Sequence, residues 1–399
     1  MKVKVKPEDF QVREESSPDL GPDPAEYSLF RLTKREWDTF DLLDLLSRRL
    51  GVKRADIRLG GYKDRHGDTS QLLCVRSGGR SLAELEERNF SLRFLGYSSQ
   101  PLSAQSVRGN HFRITLRDMR EGELRACLEA CEQVRRWGFP NYYGEQRFGS
   151  ARHGKGLMGK EVFLRRRERA LRLYFEPSRE DDAKTRMLKS CLQEHWGGWE
   201  KCLPLACGGF RPLLEYLSVH PRAFKKALAL IDRRLLVFML HAYQSFLFNE
   251  ILSDYLLELQ RQHGFSLHGL PYRMGEYRFY ACLPEELFGR LRETYLPVPA
   301  HDSEIREPVI SEITRRVLER EGVELKDLKA RQISRLRIKS TERRMIVLPE
   351  GFIPPLVGED ELYPQRKKLI LEFFLPRGSY ATLLIRRIGL VLGADPQAG

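Results

Sequence analysis

The chain carries one carboxylate between two cations in the segment Gly60-Gly61-Tyr62-Lys63-Asp64-Arg65-His66-Gly67-Asp68-Thr69-Ser70-Gln71. A cation within contact distance favours the ionised form of a carboxylate, so we expect Lys63 and Arg65 to keep Asp64 charged and able to act as a nucleophile. Gly60 and Gly61 lack a Cβ, which lets the backbone approach a ligand closely. A polar segment with glycines is also typical of a surface turn, so these residues alone leave both interpretations open.

A second segment sets aromatic side chains beside amides and an arginine, in the order Asn141-Tyr142-Tyr143-Gly144-Glu145-Gln146-Arg147-Phe148-Gly149. It follows a predicted helix end at Gly138, so we expect a loop. Such residues suit a site where a base is stacked and hydrogen-bonded and where Arg147 contacts phosphate. Tyr143 is the predicted stacking residue, whereas Tyr142 and Phe148 are equally well explained as core residues.

Length and charge bound the possible functions. A chain of 399 residues exceeds the size of most single cores, so two domains are expected. Its 41% hydrophobic and 31% charged residues are typical of a folded, soluble protein. The formal net charge of +13 indicates a polyanionic partner, most commonly nucleic acid.

The amino terminus and the cysteines predict a cytoplasmic protein without a membrane span. The first ten residues lack a signal-peptide core, and no later segment is predicted to cross a bilayer. Seven scattered cysteines argue against a disulfide framework and for reduced thiols. Cys191, His195, Cys202 and Cys207 lack the paired spacing of a zinc knuckle, so we predict no metal site there.

The order of periodic segments predicts a mixed α/β (α+β) domain built from both ends of the chain. Strands are expected at residues 10–14, 27–32, 72–75, 92–95, 112–116, 345–348 and 369–374, and helices at residues 39–50 and 123–137. Residues 155–263 are mostly helical in pattern, followed by an aromatic β-like region at 272–280 and a further helical part through Lys339. The chain is therefore predicted to be one α/β domain with a mostly helical insertion.

The two segments first described resemble the TruD family of pseudouridine synthases. In that family the catalytic aspartate follows a lysine and the segment ends in Thr-x-Gln, so Asp64, Lys63, Thr69 and Gln71 fall on those positions. Residues 141–149 resemble the family element N-Y-F-G-x-Q-R-F-G, with Tyr143 in place of the usual phenylalanine that packs on the target uracil. The resemblance also implies that Asn141 helps to hold the aspartate or its loop.

Three shorter matches extend the resemblance over residues 4 to 388. Residues 7–14, Pro-Glu-Asp-Phe-Gln-Val-Arg-Glu, resemble the strand P-x-D-F-x-V-x-E, which contains Phe10 and which Lys4 precedes by three residues. A basic residue at the position of Lys4 lies close to the nucleophile in the family, although a solvated lysine is almost as good an explanation. Residues 245–249 resemble a helical S-x-L-F-N element, and residues 378–382 resemble the closing G-S-[FY]-A-T.

The resemblance implies a pseudouridine synthase domain with a mixed, largely antiparallel sheet over residues 1–152 and 341–399, interrupted by a TRUD-type insertion at 153–340. It further implies a monomeric, cofactor-independent enzyme that isomerises a tRNA uridine, usually uridine 13. Asp64 would be the nucleophile, with Tyr143, Asn141, Lys4, Lys63, Arg147 and Phe10 on the substrate side. Attack at uracil C6, attack at ribose C1′ and proton loss at C2′ all remain open for Asp64.

Two other functions stay open at the level of sequence. A non-catalytic RNA-binding or RNA-chaperone protein would share the basic composition. A hydrolase would pair Asp64 with a second carboxylate such as Asp68 or Glu145, although no carboxylate pair of defined spacing stands out.

Overall fold

The computed structural model describes residues 1–61, 63–151, 153–329 and 338–392. The chain forms two compact units, one of residues 1–139 and 347–399 and the other of residues 140–346. The predicted insertion, residues 153–340, falls wholly inside the second unit. Tyr62 and the part of the predicted helical region at residues 330–337 lie outside the described residues.

The strands, in chain order, are β1 (Lys2–Val3), β2 (Phe10–Ser16), β3 (Tyr27–Arg35), β4 (Ile57–Leu59), β5 (Asp68–Arg76), β6 (Leu85–Glu87), β7 (Phe90–Ser98), β8 (Val107–Met119), β9 (Phe139–Pro140), β10 (Leu267–Tyr272), β11 (Gly275–Tyr280), β12 (Tyr295–Val298), β13 (Thr341–Arg344), β14 (Ile346–Val347), β15 (Leu356–Glu359) and β16 (Lys367–Pro376). The α-helices are α1 (Thr39–Leu50), α2 (Glu121–Trp137), α3 (Met158–Phe163), α4 (Arg167–Tyr174), α5 (Ala183–Glu194), α6 (Trp199–Cys202), α7 (Arg211–Val219), α8 (Phe224–Ala229), α9 (Arg233–His263), α10 (Glu285–Leu291), α11 (Pro308–Glu321) and α12 (Ala381–Gly389). Short 3-10 helices span Pro7–Asp9, Arg54–Asp56, Ala104–Ser106, Glu145–Ala151, Leu203–Leu205, Gly208–Phe210, Leu325–Asp327 and Leu390–Leu392.

The first unit is built on one large sheet with strand order β15-β16-β8-β2-β5-β3-β7-β6, in which β1 also pairs with β8 and β4 with β5. Strands β2 and β5 are parallel, with Val12 opposite Thr69. The other pairs of this sheet are antiparallel. The predicted mixed, largely antiparallel sheet is thus confirmed.

Helix α1 forms where its local signals predict. The Asp38 carboxylate caps its first turn by accepting hydrogen bonds from the backbone N–H groups of Phe40 and Asp41, and Gly51 ends it in the left-handed region at a φ of 63°. Leu42, Leu43 and Leu46 of this helix are buried against core side chains of β3, β5 and β7. The helix thereby covers one face of that half of the sheet.

The second unit is organised around α9, a helix of 31 residues. By length and composition alone, this helix contains an 18-residue window apolar enough to cross a membrane, so the sequence-based statement that no segment qualifies is wrong. Its most apolar window is 72% buried inside the protein, however, as in the core helix of a globular unit. The helix packs on α3, α11, β11 and β12.

Three further predictions need correction. Cys191 and Cys202 form a disulfide, with their Cα atoms 5.9 Å apart, where reduced thiols were predicted. Strand β12 lies in a region predicted to be helical, where it pairs with β13 in an antiparallel ladder. The predicted loop at residues 141–149 becomes the 3-10 helix Glu145–Ala151 in its second half.

Candidate active site

The Asp64 segment connects β4 to β5 and lies close to the backbone of β2. A Cβ added to Gly67 would stand 2.6 Å from the carbonyl oxygen of Phe10, so this position requires glycine. A Cβ at Gly60 would overlap the side chain of Val107. The close approach allowed by Gly60 is therefore to the protein's own β8.

Lys4 is the cation that pairs with Asp64. Its Nζ donates a hydrogen bond to Oδ2 of Asp64, and the two side chains are only 22% and 14% exposed. The same Nζ lies 4.2 Å from the centroid of the Phe10 ring, a cation–π distance. Lys4 also has a φ of 58°, a conformation uncommon outside glycine and typical of functional positions. The structure thus brings together three of the predicted residues: Lys4, Phe10 and Asp64.

Lys63 and Arg65 do not have the role expected for them. The Lys63 Nζ forms a buried ion pair with Oε2 of Glu14, 2.6 Å away, and Arg65 is exposed. Successive side chains on an extended segment point apart, which explains why the neighbours of Asp64 in sequence are not its charge partners. The expectation that Lys63 keeps Asp64 ionised is therefore wrong, and its predicted contact with substrate stays a prediction.

Lys34, which was not predicted from the sequence, binds the backbone of the Asp64 segment. Its side chain is fully buried and its Nζ donates to the carbonyl oxygens of Asp64 at 2.7 Å and Trp37 at 2.9 Å, with that of Lys63 at 3.5 Å. The Thr39 hydroxyl donates to the carbonyl oxygen of Lys63 at 3.2 Å. A signal for Lys34 exists in the sequence, because it shares the inward face of β3 with the core residues Phe30 and Leu32.

Burial and charge act against each other on the ionisable groups of this site. Burial favours protonated Asp64, but the charge and hydrogen bond of Lys4, helped by the backbone N–H of His66 at 3.2 Å, outweigh it and lower the pKa of Asp64 below its ordinary value of 3.8. Burial lowers the pKa of Lys34 from 10.5 to about 8, against the attraction of Asp64 and Asp38. Asp64 is therefore ionised at neutral pH.

Thr69 and Gln71, the polar residues at the end of the segment, lie on the buried face of β5. Thr69 pairs in register with Lys34 on β3. Both side chains are fully buried, and among the described residues neither the Thr69 hydroxyl nor the Gln71 amide has a hydrogen-bond partner. Buried polar groups without a protein partner are uncommon in folded proteins, and these two lie at the end of the Asp64 segment.

In the second unit, Tyr143 is fixed by its backbone. Its N–H donates to Oδ1 of Asn249 at 2.8 Å, while Nδ2 of Asn249 and the Tyr277 hydroxyl donate to its carbonyl oxygen, each at 3.0 Å. Its ring packs edge-on against Phe248 at 5.5 Å, and the Arg343 guanidinium lies 4.1 Å from the ring centroid. Asn249 and Phe248 belong to the S-x-L-F-N element, whose contribution to the site is to hold Tyr143.

Asn141 is tied to Arg343. The Arg343 guanidinium donates to Oδ1 and to the carbonyl oxygen of Asn141, both at 2.7 Å, and Nδ2 of Asn141 donates to the carbonyl oxygen of Arg344 at 2.9 Å. Arg147 donates from Nε to the Ser245 hydroxyl at 3.1 Å. Within this unit the structure thus groups Asn141, Tyr143 and Arg147. Arg343 was missed, because nothing in the sequence distinguishes it from Arg344.

Tyr142 and Phe148 are core residues, as one of the two interpretations held. Both are fully buried. The Tyr142 hydroxyl donates to the carbonyl oxygen of Arg278 and accepts from its N–H, each at 3.1 Å. Tyr142 therefore belongs to the core, whereas its neighbour Tyr143 belongs to the candidate site.

Comparison with known proteins decides the family. The sequence profile described as tRNA pseudouridine synthase D (TruD) matches residues 1–263 and 289–388. The chain belongs to the TruD family. It is a pseudouridine synthase, an isomerase, and the predicted family is confirmed.

The TruD relatives match over nearly their whole length. A Methanococcus maripaludis protein named "Probable tRNA pseudouridine synthase D 1" is 31% identical over 98% of this chain and 100% of its own. The tRNA pseudouridine synthase D of Aquifex aeolicus is 27% identical over 97% and 98%. The crystal structure of a TruD-type protein from Methanosarcina mazei superposes with a TM-score of 0.69 at 26% identity, covering 99% of this chain and 94% of that one.

Among the residues that the structure describes, no three His, Cys, Asp or Glu side chains form a group able to hold a metal ion. Cys191 and Cys202, considered as zinc ligands, are bonded to each other. The independence of this TruD enzyme from metal and cofactor remains a prediction.

Proposed function

We propose that this TruD enzyme converts uridine 13 of tRNA to pseudouridine with Asp64 as the catalytic carboxylate. The observation that carries the proposal is the partly buried ion pair between Lys4 and Asp64. It provides a carboxylate whose pKa is lowered and whose position is fixed by Lys34 beneath its backbone. The related proteins are named for tRNA, and the net charge of +13 suits such a polyanion.

The reaction is an isomerisation in which the bond from ribose C1′ to uracil N1 breaks and a bond from C1′ to C5 forms. The ionised Asp64 attacks uracil C6 or ribose C1′, or removes the C2′ proton, and each of these routes begins with a charged carboxylate. Uracil then turns before it rejoins the ribose. The proton displaced from C5 goes to a base, for which Asp64 is a candidate, and N1 ends protonated, so the product has the same atoms as the substrate.

Tyr143 receives the uridine once it has left its stack. An enzyme that acts on a base in folded RNA must extrude it and replace the lost stacking, and a phenol ring supplies a flat face for that purpose. The guanidinium of Arg343 on the Tyr143 ring and the clamp of Asn249 on its backbone fix the plane of that ring. Arg147 and Asn141 contact the nucleotide around the base, and Phe10 packs beside Lys4.

The hydrolase alternative has less support. Asp68, one candidate for the second carboxylate, is engaged in an ion pair with Arg35 at 3.2 Å. The family assignment also places the chain among isomerases. A non-catalytic RNA chaperone would not require a carboxylate such as Asp64, whose pKa is lowered by the Lys4 ion pair.

The test is release of tritium from unmodified tRNA labelled at C5 of its uridines. We expect wild-type enzyme to release tritium, and Asp64→Asn, which keeps the shape but not the charge, to reduce kcat by at least about a thousandfold while still binding tRNA. No release by the wild type from a tRNA pool that it binds would overturn the synthase assignment. A chaperone would bind tRNA equally well in both proteins and release no tritium with either.

The target position needs a second substrate. A tRNA with cytidine in place of uridine 13 should release no tritium, while a tRNA with the same change at another uridine should react normally. Release from both would place the target elsewhere in the molecule and leave the reaction itself established.

A further inference from the structure

A strongly basic groove lies in the second unit, on residues other than those that hold Tyr143. It is an open depression of about 600 Å³ between the start of α4 and the segment that joins α7 to α8. Its basic lining consists of Arg165, Arg167, Arg222, Lys225 and Lys226. The run of arginines at residues 165–167, prominent in the sequence, thus meets a second run of cations across a groove.

The groove has an uncompensated positive charge. Among the described residues, no carboxylate lies within ion-pair distance of Arg165, Arg222, Lys225 or Lys226, and all four are exposed. Glu168 is the acidic residue of the lining, and it accepts from Arg172 at 2.8 Å and from the Trp196 indole N–H at 3.1 Å. These four cations therefore face solvent against one carboxylate that is already occupied.

A second basic depression adjoins the first at Arg165. It has a volume of about 390 Å³ and is lined by Phe163, Leu164, Arg165, Lys326, Asp327 and Lys329. The carboxylate of Asp327 accepts from the backbone N–H of Glu324 at 2.9 Å. The two depressions together form one surface, here called the basic groove, that is lined by seven cations, of which Lys326 is paired with Glu324 at 2.7 Å.

Its aromatic residues favour nucleic acid over a simple anion. Tyr216 and His220 line the groove, and their rings stand 4.8 Å apart at 43°. Rows of cations match the repeating charge of a phosphate backbone, and flat rings beside them contact ribose or an exposed base. A small anion would instead need a closed site with converging donors, which an open groove does not provide.

We propose that the basic groove binds the sugar-phosphate backbone of the substrate tRNA outside the nucleotide that reacts. The inference rests on the proposed function for the identity of the RNA. Its effect is on affinity, because contacts made equally in the ground state and the transition state lower KM and leave kcat unchanged. Arg165, which lines both depressions, belongs to the centre of this surface.

The test is the salt dependence of tRNA binding by Lys225→Glu with Lys226→Glu, measured by fluorescence anisotropy between 50 and 300 mM KCl. Each lost phosphate contact reduces the slope of log K against log salt by about 0.7 to 0.9, so the double variant should lower it by about 1.4 to 1.8 and weaken binding at low salt by about tenfold or more. Tritium release at saturating tRNA should stay within about twofold of wild type.

The matched control is Lys184→Glu with Lys201→Glu, two exposed lysines of the same unit that line neither depression. It makes the same change in net charge and should bind tRNA almost as wild type does. Lys225→Gln with Lys226→Gln, which adds no acidic group, replaces the first variant if circular dichroism shows that it misfolds, and should show a smaller loss in the same direction.

The outcomes separate the two proposals. The proposal that the basic groove binds tRNA would be overturned if the groove variants keep the wild-type affinity and salt dependence, or if the control variant loses as much affinity. The charge of the groove would then serve another partner, such as an acidic protein. Weakened binding in the groove variants alone supports it. Absence of tritium release by the wild type would refute the proposed reaction whatever the binding shows.

Discussion

The Asp64 segment in the first unit and the Tyr143 segment in the second are held in place by different kinds of interaction. A buried cation, Lys34, donates to the carbonyl oxygens of the Asp64 segment, and a second cation, Lys4, pairs with the carboxylate itself. A neutral amide, Asn249, accepts from the N–H of Tyr143 and donates to its carbonyl oxygen, and the ring is held by packing on Phe248 and by the Arg343 guanidinium. The first region depends on two cations that hold a carboxylate and its backbone, and the second depends mainly on neutral hydrogen bonds and on contacts to the ring.

The difference follows from the work that each segment does. A nucleophilic carboxylate must stay ionised where burial opposes ionisation, so cations are needed close to it. A stacking residue carries no charge that burial would penalise and needs only a fixed plane, which hydrogen bonds to its backbone and contacts to its ring supply. The two regions should therefore respond differently to substitution and to pH.

Among substitutions of the residues that hold the two segments, removal of the Lys4 charge should have the largest effect. Lys4→Met removes both the charge that favours ionised Asp64 and the hydrogen bond that positions its carboxylate, so the pKa rises, the geometry is lost, and we expect kcat to fall by about a hundredfold. Lys4→Arg should recover part of the loss, which single-turnover tritium release would measure. Lys6→Met is the control, since Lys6 forms only an exposed ion pair with Glu361 at 3.7 Å and should change kcat by less than about twofold. Equal losses in both variants would mean that the Lys4 pair is incidental.

Removal of the ring should have a moderate effect that no charge can replace. Stacking of a base on an aromatic side chain contributes about 1 to 3 kcal/mol, so Tyr143→Ala should lower kcat/KM by about 5- to 150-fold. Tyr143→Phe, which keeps the face and removes the hydroxyl, should stay within about twofold. If Tyr143→Phe is as impaired as Tyr143→Ala, the proposed stacking role of the ring is wrong, since the hydroxyl would then carry the function.

The smallest effect expected is on stability, at Lys34. Because the pKa of Lys34 is about 8 when folded and 10.5 ordinarily, the unfolded chain binds more protons between these values, and the contribution of Lys34 to stability rises with pH across that window. Relative to Lys34→Met, the wild type should gain about 2 kcal/mol in free energy of unfolding between pH 7.5 and 9.5. Urea denaturation at both pH values measures this. A difference that does not vary with pH would contradict the perturbed lysine.

Local signals allowed much of the fold to be predicted. Helix α1 was anticipated from a capping aspartate and a terminal glycine, since both signals act within a few residues. The same holds for the end of α9 at Gly264, which adopts the left-handed region at a φ of 72°. Strand β12 was not predicted, because its partner β13 lies more than forty residues further along the chain.

The site was harder to predict because its partners are distant in sequence. Asp64 was identified from its segment, but its expected partners were its immediate neighbours, whereas Lys4 lies 60 residues before it and Lys34 lies 30 before it. Lys4 was reached only through the family resemblance. Arg343 and Asn141 are separated by 202 residues, and no local pattern announces such a contact. Which side chains meet is decided by tertiary structure.

The most direct test of the contrast between the two regions is the dependence of kcat/KM on pH, measured by tritium release for wild type, Lys4→Met and Tyr143→Ala. Activity requires ionised Asp64, so it is lost as pH falls through the pKa of that group in the free enzyme, which lies below 3.8 in the wild type. We predict that Lys4→Met moves the fall of kcat/KM at acidic pH to higher pH. Tyr143→Ala should lower kcat/KM at every pH without moving that fall. An unmoved fall in Lys4→Met, or a shifted one in Tyr143→Ala, would contradict the account.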